Sequence, residues 1–251
     1  AGGISASRIA KWDGSNWSAL GDGIDGMVYA LAFDGSGNLY AGGAFTEAGG
    51  IAAKYIAKWN GTTWSALGTG MNNTVFTLAV SGTSLYAGGA FTEAGGNAAS
   101  YMAKWNGTTW SVLGTGMNNV VNAVAVDGSG NLYAGGNFTM AGGIAASHVA
   151  KWDGSNWSAL GLGLNQQVNA VAVDGTTLYA GGYFTGVPAT GNSKYINKCN
   201  LSDSTWSGFL DSGLNNAVNV MKLDSKGYLY IGGNFSGVQS GSPAFSRIVR
   251  Y

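Results

Sequence analysis

The residues best suited to binding a ligand lie in five short polar linkers that recur along the chain. They carry amide or carboxylate side chains, at Asp25, Asn72, Asn73, Asn118, Asn119, Asn165, Gln166, Asn215 and Asn216. Such groups form the hydrogen bonds that hold a sugar, a peptide or a cation. The same residue types also stabilise turns by bonding to nearby backbone groups. We therefore expect either a ring of ligand-binding groups or a set of turns at these linkers.

The chain offers few groups for acid–base catalysis. Its two glutamates, Glu47 and Glu93, share one repeat position, and Asp22 and Asp25 form the one acidic pair that departs from the repeat. A hydrolase or lyase needs clustered acids in defined positions. A deep pocket around Asp22 and Asp25 would favour such an enzyme, but the sequence alone predicts no catalytic residue.

His148 and Cys199 are the single residues of their types. His148 stands where other repeats have tyrosine and has no evident metal or nucleophile partner, so we expect a half-buried ring on a strand. Cys199 stands where other repeats have tryptophan, and we expect a buried, unreactive thiol. The turn-like segments that begin at Asp34 and Asp127 lack the alternating acids of a calcium loop. The sequence therefore predicts no metal site and no cofactor.

Charge and composition argue against several classes of partner. The 12 basic and 12 acidic residues cancel, which removes the positive surface expected for nucleic acid. No apolar run approaches the roughly 18 residues that span a bilayer, so we expect no membrane insertion. A hydrophobic content of 45% with 10% charged residues is typical of a folded chain.

A repeat explains most of this composition. The segment Leu-Tyr-Ala-Gly-Gly, with one Ile for Ala, places Gly pairs that begin at 42, 88, 135, 181 and 232, in steps of 46, 47, 46 and 51 residues. Each repeat holds four short apolar runs separated by turns, and Asn-Gly after the third run is a strong hairpin signal. Four strands at this period predict an all-β fold, a β-propeller of five blades with four antiparallel strands each. We expect one domain over residues 1–251.

The most faithful repeat positions predict packing between blades. The Gly pair in the second strand lets another segment approach closely. Large rings are expected to fill the space between diverging outer strands. All nine tryptophans occupy the end of the third strand or the fourth strand, at Trp12, Trp17, Trp59, Trp64, Trp105, Trp110, Trp152, Trp157 and Trp206.

The order of these residues resembles the kelch repeat. Leu178 to Gly182 is followed by Cys199, in place of the usual first aromatic residue, and by Trp206. The resemblance covers essentially the whole chain and implies a propeller, but it hardly specifies activity. The repeated lines are also similar to those of secreted bacterial surface proteins and, in repeat length, to five-bladed tachylectin-type lectins. They imply a secreted, extracellular or cell-surface location.

The two ends of the chain carry one strand too many for five blades. Arg8 to Trp12 and Arg247 to Tyr251 both match the third strand, which makes six copies against five Gly pairs. We expect the N-terminal copy to complete the blade begun by Val218 to Phe235, since an unpaired edge promotes aggregation. The surplus strand could lie beside its equivalent, stay loose, or mediate self-association by pairing with a neighbouring molecule. The alternative to a closed five-bladed ring is an open fragment of a larger propeller. The opening Ala1-Gly2-Gly3 matches the interior of a repeat, so we expect a piece of a longer protein.

Three functions remain open from the sequence. The first is a non-enzymatic binding or structural module with a protein or glycan ligand. The second is a lectin with several weak sites, because the linkers recur and multivalency would multiply their affinity. The third is a hydrolase or lyase on a propeller scaffold.

Overall fold

A computed structural model describes residues 1–187, 193–210 and 213–238, together with the backbone of 248–250. Every regular element in this part of the chain is a β-strand. The chain divides into two compact units, Ala1–Gly116 and Met117–Tyr251. Each unit consists of antiparallel sheets that repeat one plan, and the architecture is that of a β-propeller.

The first unit has two four-stranded sheets, with strand orders β3-β4-β7-β8 and β9-β10-β13-β14, and a separate two-stranded sheet, β1-β2. The strands are β1 (Ala10–Trp12), β2 (Trp17–Ala19), β3 (Met27–Phe33), β4 (Leu39–Ala44), β5 (Glu47–Ala48), β6 (Ile51–Ala52), β7 (Ile56–Trp59), β8 (Trp64–Ala66), β9 (Val75–Ser81), β10 (Ser84–Gly89), β11 (Glu93–Ala94), β12 (Asn97–Ala98), β13 (Met102–Trp105) and β14 (Trp110–Val112).

The second unit has two more four-stranded sheets, β15-β16-β19-β20 and β21-β22-β23-β24, and a sheet with three described strands, β25-β26-β27. The strands are β15 (Val121–Val126), β16 (Leu132–Gly136), β17 (Met140–Ala141), β18 (Ile144–Ala145), β19 (Val149–Trp152), β20 (Trp157–Ala159), β21 (Val168–Asp174), β22 (Thr177–Gly182), β23 (Ile196–Asn200), β24 (Thr205–Gly208), β25 (Val218–Leu223), β26 (Leu229–Gly233) and β27 (Ile248–Arg250).

A small hairpin between the second and third strands was not predicted. The pairs β5-β6, β11-β12 and β17-β18 form it in three repeats. Both glycines at its tip have positive φ, +59° and +75° at Gly49 and Gly50. A type I′ turn needs this conformation at both central residues. The recurring Ala-Gly-Gly segment is therefore a sequence signal for this hairpin.

The Gly pair packs as the sequence predicts. A Cβ on Gly42 would lie 2.6 Å from Cγ1 of Val75 and 3.3 Å from Cδ1 of Leu78, in the first strand of the next sheet. A Cβ on Gly43 would overlap the carbonyl oxygen of Met27. Gly181 repeats the contact, with Cγ1 of Val218 at 2.5 Å. Consecutive sheets thus approach each other as closely as glycine permits.

The outer-strand tryptophans both fill space and connect consecutive repeats. The indole N–H of Trp64 donates to the carbonyl of Leu20 at 2.8 Å, that of Trp110 to Leu67 at 2.9 Å, and that of Trp206 to Leu160 at 2.7 Å. These three rings are buried, which confirms the expected packing role, whereas Trp12 and Trp17 in the terminal pair β1-β2 are exposed.

The predicted pairing of the N-terminal third strand is wrong in this structure. β26 pairs with β27, with Tyr230 opposite Arg250 and Gly232 opposite Ile248. β1 pairs with β2, and the described residues provide it with no further strand. The closure cost of a chain loop rises with its length, and β27 is far closer in sequence to β26 than β1 is.

Because the sheets approach so closely at the Gly pair, we expect a single added methyl group at Gly42 to destabilise the fold. Gly42→Ala should lower the free energy of unfolding by roughly 1–3 kcal/mol, because the new methyl group overlaps the Val75 side chain. Urea denaturation followed by tryptophan fluorescence measures this change. Gly35→Ala is the matched control, since a Cβ there meets nothing within 4 Å and should cost under about 0.5 kcal/mol. Equal losses in the two variants would contradict the packing role.

Candidate functional site at the linkers

The first polar residue of each linker holds the loop that follows the Gly pair. The Asp25 carboxylate accepts hydrogen bonds from the backbone N–H of Thr46 at 2.8 Å, its hydroxyl at 2.7 Å, and the backbone N–H of Glu47 at 2.9 Å. The pKa of Asp25 lies below its usual value, chiefly because of the Thr46 hydroxyl. This linker residue therefore acts as a clamp between two loops.

Asparagine forms the same clamp in the other repeats. The Asn72 carbonyl accepts from the backbone N–H groups of Thr92 and Glu93 at 2.9 and 3.0 Å, while its amide donates to the Thr92 hydroxyl at 2.9 Å. Asn118, Asn165 and Asn215 each make the corresponding contacts with a Thr or Ser at 139, 185 and 236. The turn-stabilising role that the sequence allowed is thus present at all five first positions.

The second linker residue is exposed and bonded only locally. The Asn73 carbonyl accepts from the N–H of Thr74 at 2.7 Å, and Asn119 and Asn216 bond in the same way to the residue that follows each. Gln166 is exposed as well. Ligand contact at these second positions is still a prediction.

A groove lies beside the Asn72 clamp. It has a volume of about 350 Å³ and is lined by residues that include Thr46, Lys54, Tyr55, Thr69, Asn72 and Glu93. Lys54 and Glu93 are exposed, and the Tyr55 ring is half-buried. The groove therefore combines an aromatic residue with one cationic and one anionic residue, a mixture that can hold a polar ligand in a fixed orientation.

Tyr55 occupies a backbone position that the sequence did not reveal. Its φ is +64°, and the residues at the same place in the other repeats also have positive φ: Arg8 at +61°, Tyr101 at +64°, His148 at +65° and Tyr195 at +67°. This conformation costs a bulky residue about 1–2 kcal/mol. Two backbone hydrogen bonds maintain it, from Tyr55 N–H to Phe45 at 2.9 Å and from Gly43 N–H to Tyr55 at 3.0 Å. A large residue recurring just before the third strand was the available signal.

His148 is half-buried, as predicted, but it precedes β19 rather than lying on the strand. Its Nδ1 lies 3.2 Å from the carbonyl oxygen of Gly136. Burial lowers the pKa of His148, which favours the neutral ring. The residue thus follows the backbone conformation of its tyrosine counterparts.

The Asp34 and Asp127 segments are turns. The Asp34 carboxylate accepts from the backbone N–H groups of Ser36 and Asn38, each at 2.9 Å, from the Asn38 amide at 2.7 Å and from the Tyr40 hydroxyl at 3.2 Å. Burial alone would raise the pKa of Asp34, but these hydrogen bonds outweigh it and hold the pKa below the usual value. Asp127 makes the equivalent bonds, so both carboxylates are fully engaged within the fold.

Cys199 is buried, as predicted. Burial, assisted by the negative charge of Asp203, raises the pKa of its thiol to about 12. The thiol is therefore protonated at neutral pH, which removes its nucleophilic form.

Asp22 and Asp25 are both exposed, and Asp25 is committed to its clamp. Among the described residues, no three His, Cys, Asp or Glu side chains gather closely enough to hold a metal ion. The groove beside Asn72, rather than an acidic pocket, is therefore the site that the linkers form.

Comparisons with known proteins support the fold. No protein-family model matches the chain, and no curated protein sequence matches it. The chain is similar to a solved structure of the mitotic checkpoint complex, with a TM-score of 0.58 and 15% identity over 95% of this chain and 68% of the other. It is also similar to the computationally designed Ika8 protein, with a TM-score of 0.52 and 14% identity over 91% of this chain and 78% of the other.

A third similar structure is the extracellular domain of BT3049 from B. thetaiotaomicron, described as a hybrid two component system. The TM-score is 0.53 and the identity 14%, over 85% of this chain and 29% of that one, so this chain spans under a third of its length. These neighbours are propeller-type folds, and at such identities the likeness concerns the fold alone.

In the described residues, no helix is long and apolar enough to span a membrane.

The clamp geometry predicts that alanine substitutions at two neighbouring asparagines lower the free energy of unfolding by different amounts. Asn72→Ala should lower the free energy of unfolding by about 1–2 kcal/mol, because two backbone N–H groups and the Thr92 hydroxyl lose their partner. Asn73→Ala loses only a local bond to Thr74 and should cost less than about half as much. Chemical denaturation of the two variants beside the parent chain makes the comparison, and a larger loss in Asn73→Ala would contradict the clamp.

The Asp25 clamp predicts an acid-dependent stability. The folded-state pKa of Asp25 lies below its ordinary value of 3.8, so its contribution to stability is present above that pH and is lost as pH falls through the folded-state pKa. Asp25→Asn installs the side chain that makes the same clamp at Asn72. The variant should therefore lose less stability than the parent between pH 5 and pH 2, in urea denaturation series. Parallel pH profiles would count against this role.

Proposed function

We propose that this chain is a non-enzymatic binding module of an extracellular or cell-surface protein. The groove beside Tyr55 is its ligand-contacting surface. One observation carries the proposal. The Asn72 side chain is hydrogen-bonded within the fold, whereas Tyr55, Lys54 and Glu93 line the groove beside it. The proposal includes a kelch-like repeat. It also includes an extracellular location, with which the zero net charge of the chain agrees.

The backbone of Tyr55 supports a binding role. A residue with positive φ is retained only where the surroundings hold it, and such positions are frequent at ligand sites. The hydrogen bonds to Phe45 and from Gly43 fix this backbone before any ligand arrives. A backbone that is fixed in advance loses little conformational freedom on binding, which favours affinity.

A glycan is the ligand class that the groove favours within this proposal. A tyrosine ring presents an apolar face to the C–H groups of a sugar, while carboxylate, amide and hydroxyl groups bond to its hydroxyls. Glu93 supplies a carboxylate and Thr69 a hydroxyl at the same groove. Weak sites that recur along one chain would gain affinity together on a surface with many glycans.

Binding to an array that carries both glycans and peptides tests the proposal. The parent chain should show specific signals that fall at least ten-fold in Tyr55→Ala and persist in Tyr55→Phe, because phenylalanine keeps the ring face. Tyr183→Ala is the control, since Tyr183 is an exposed tyrosine that does not line this groove. Glycan signals support the sugar class, and peptide signals alone would replace it with a protein ligand.

Two results would overturn the proposal. One is an array with no signal above background. The other is specific turnover of a chromogenic ester or glycoside that disappears on changing a single side chain, which would favour the hydrolase alternative.

A further inference from the structure

The hairpin between the third and fourth strands carries an Asn-Gly dipeptide in two repeats. Asn60-Gly61 and Asn106-Gly107 lie in four-residue loops that the strand pairs Trp59–Trp64 and Trp105–Trp110 close. Both asparagines are exposed, and neither lines the groove at Tyr55. Their place in the turn leaves open what chemistry their side chains can undergo.

The Asn60 side chain folds back over its own loop. Its carbonyl oxygen Oδ1 accepts hydrogen bonds from the backbone N–H of Thr62 at 2.9 Å, the hydroxyl of Thr62 at 2.9 Å and the backbone N–H of Thr63 at 2.8 Å. The Asn106 oxygen accepts the same three bonds from the second and third residues after it, at 2.9, 3.0 and 2.9 Å. Donors placed in this way stabilise an oxygen on which negative charge develops.

Two other repeats show that this arrangement holds a negative charge. Asp13 and Asp153 occupy the position of Asn60, and each accepts backbone N–H bonds at 2.8 and 2.7 Å from the second and third residues after it. Those bonds, and chiefly the bond from the third residue, hold the pKa of both carboxyl groups below the ordinary value. The glycine that follows has φ between +102° and +104° in all four loops. The turn therefore accepts asparagine or aspartate with the same backbone.

The glycine after each asparagine supplies a nucleophile. The structure gives the N–H groups of Gly61 and Gly107 no hydrogen-bond acceptor among the described residues. A Cβ at either glycine would meet nothing within 4 Å, so the space around the nitrogen is open. Glycine also lacks the side chain that shields this nitrogen in other residues. A nitrogen nucleophile and a polarised amide carbonyl thus adjoin in each loop.

We propose that Asn60 and Asn106 deamidate without an enzyme while the chain is folded. Hydroxide from solvent removes the proton of the Gly61 nitrogen, which attacks Cγ of Asn60, and Oδ1 takes up the negative charge beside its donors. The Cγ–Nδ2 bond breaks, and the nitrogen leaves as ammonia with a proton from water, which regenerates hydroxide and leaves a succinimide ring. Water then opens the ring. Attack at Cγ gives aspartate, and attack at the Asn60 backbone carbonyl gives isoaspartate, with no change of oxidation state.

Aspartate is the product that the turn fits. Its carboxylate meets the donors that Asp13 and Asp153 already use at this position. Isoaspartate instead adds one main-chain atom to the loop and disturbs the pairing of Trp59 with Trp64. Each conversion adds one negative charge, so the net charge goes from 0 to −2 when both sites have reacted. The proposal does not depend on a ligand in the Tyr55 groove.

Mass spectrometry of the purified, folded chain in heavy-oxygen water tests the proposal. After incubation in mildly alkaline buffer, the digested chain is assayed for label at each asparagine. The label should enter Asn60 and Asn106 at least ten-fold faster than two other exposed asparagines. These are Asn72 and Asn118, which are held in clamps and are followed by asparagine rather than glycine. Isoelectric focusing should show forms with one and then two added negative charges.

Variants and an unfolded reference make the result decisive. Gly61→Ala should slow labelling at Asn60 at least ten-fold, because the methyl group shields the nitrogen, and should leave Asn106 unchanged as an internal control. Asn60→Asp combined with Asn106→Asp should leave the urea midpoint unchanged, because aspartate accepts the same bonds at position 13.

Three results would overturn the proposal. One is labelling at Asn60 and Asn106 that is no faster than at Asn72. Another is labelling more than ten-fold slower in the folded chain than in the same chain unfolded in urea, which would mean that the turn protects the amide. The third is unchanged labelling at Asn60 in Gly61→Ala.

Discussion

The close approach of a Gly-bearing second strand to the first strand of the next sheet is the contact on which each unit depends. At Gly42 the neighbouring Val75 methyl occupies the place of a side chain, and at Gly43 the carbonyl of Met27 does so. This spacing brings apolar residues of consecutive sheets together, as in the cluster around Val75, Leu85 and Phe91. It also sets where the linker emerges and hence where the clamp and groove lie.

The sequence predicted those parts of the fold that depend on local chemistry. Close packing at Gly42 and burial of the Trp64 ring both follow from residue type and repeat position. The β26 pairing could not be predicted, because β1 and β27 have equivalent sequences and only their connection to the rest of the chain distinguishes them. Because the two strands are equivalent in sequence, local pairing rules favour neither β1 nor β27 as the partner of β26.

The candidate site shows the same limit. Asparagine at 72 suits both ligand binding and a turn, and only the distances to Thr92 and Glu93 reveal the clamp. Tyr55 was visible as a recurring large residue, but its positive φ depends on partners at Phe45 and Gly43 that are separate from it in sequence. Tertiary hydrogen bonds override the ordinary preference of a tyrosine for an extended or helical backbone. The groove is therefore a product of the repeat as a whole.

The tryptophan hydrogen bonds have a consequence for how such a chain changes in length. The Trp64 and Trp110 indoles each donate to a leucine carbonyl of the preceding repeat. The acceptor is a backbone group, which every repeat possesses whatever its sequence. A repeat copied by gene duplication thus carries its own indole N–H donor, and the preceding repeat already has the backbone carbonyl that accepts the hydrogen bond. Growth by whole repeats requires no matching mutation in the neighbour, so near-identical copies can accumulate before any of them diverges.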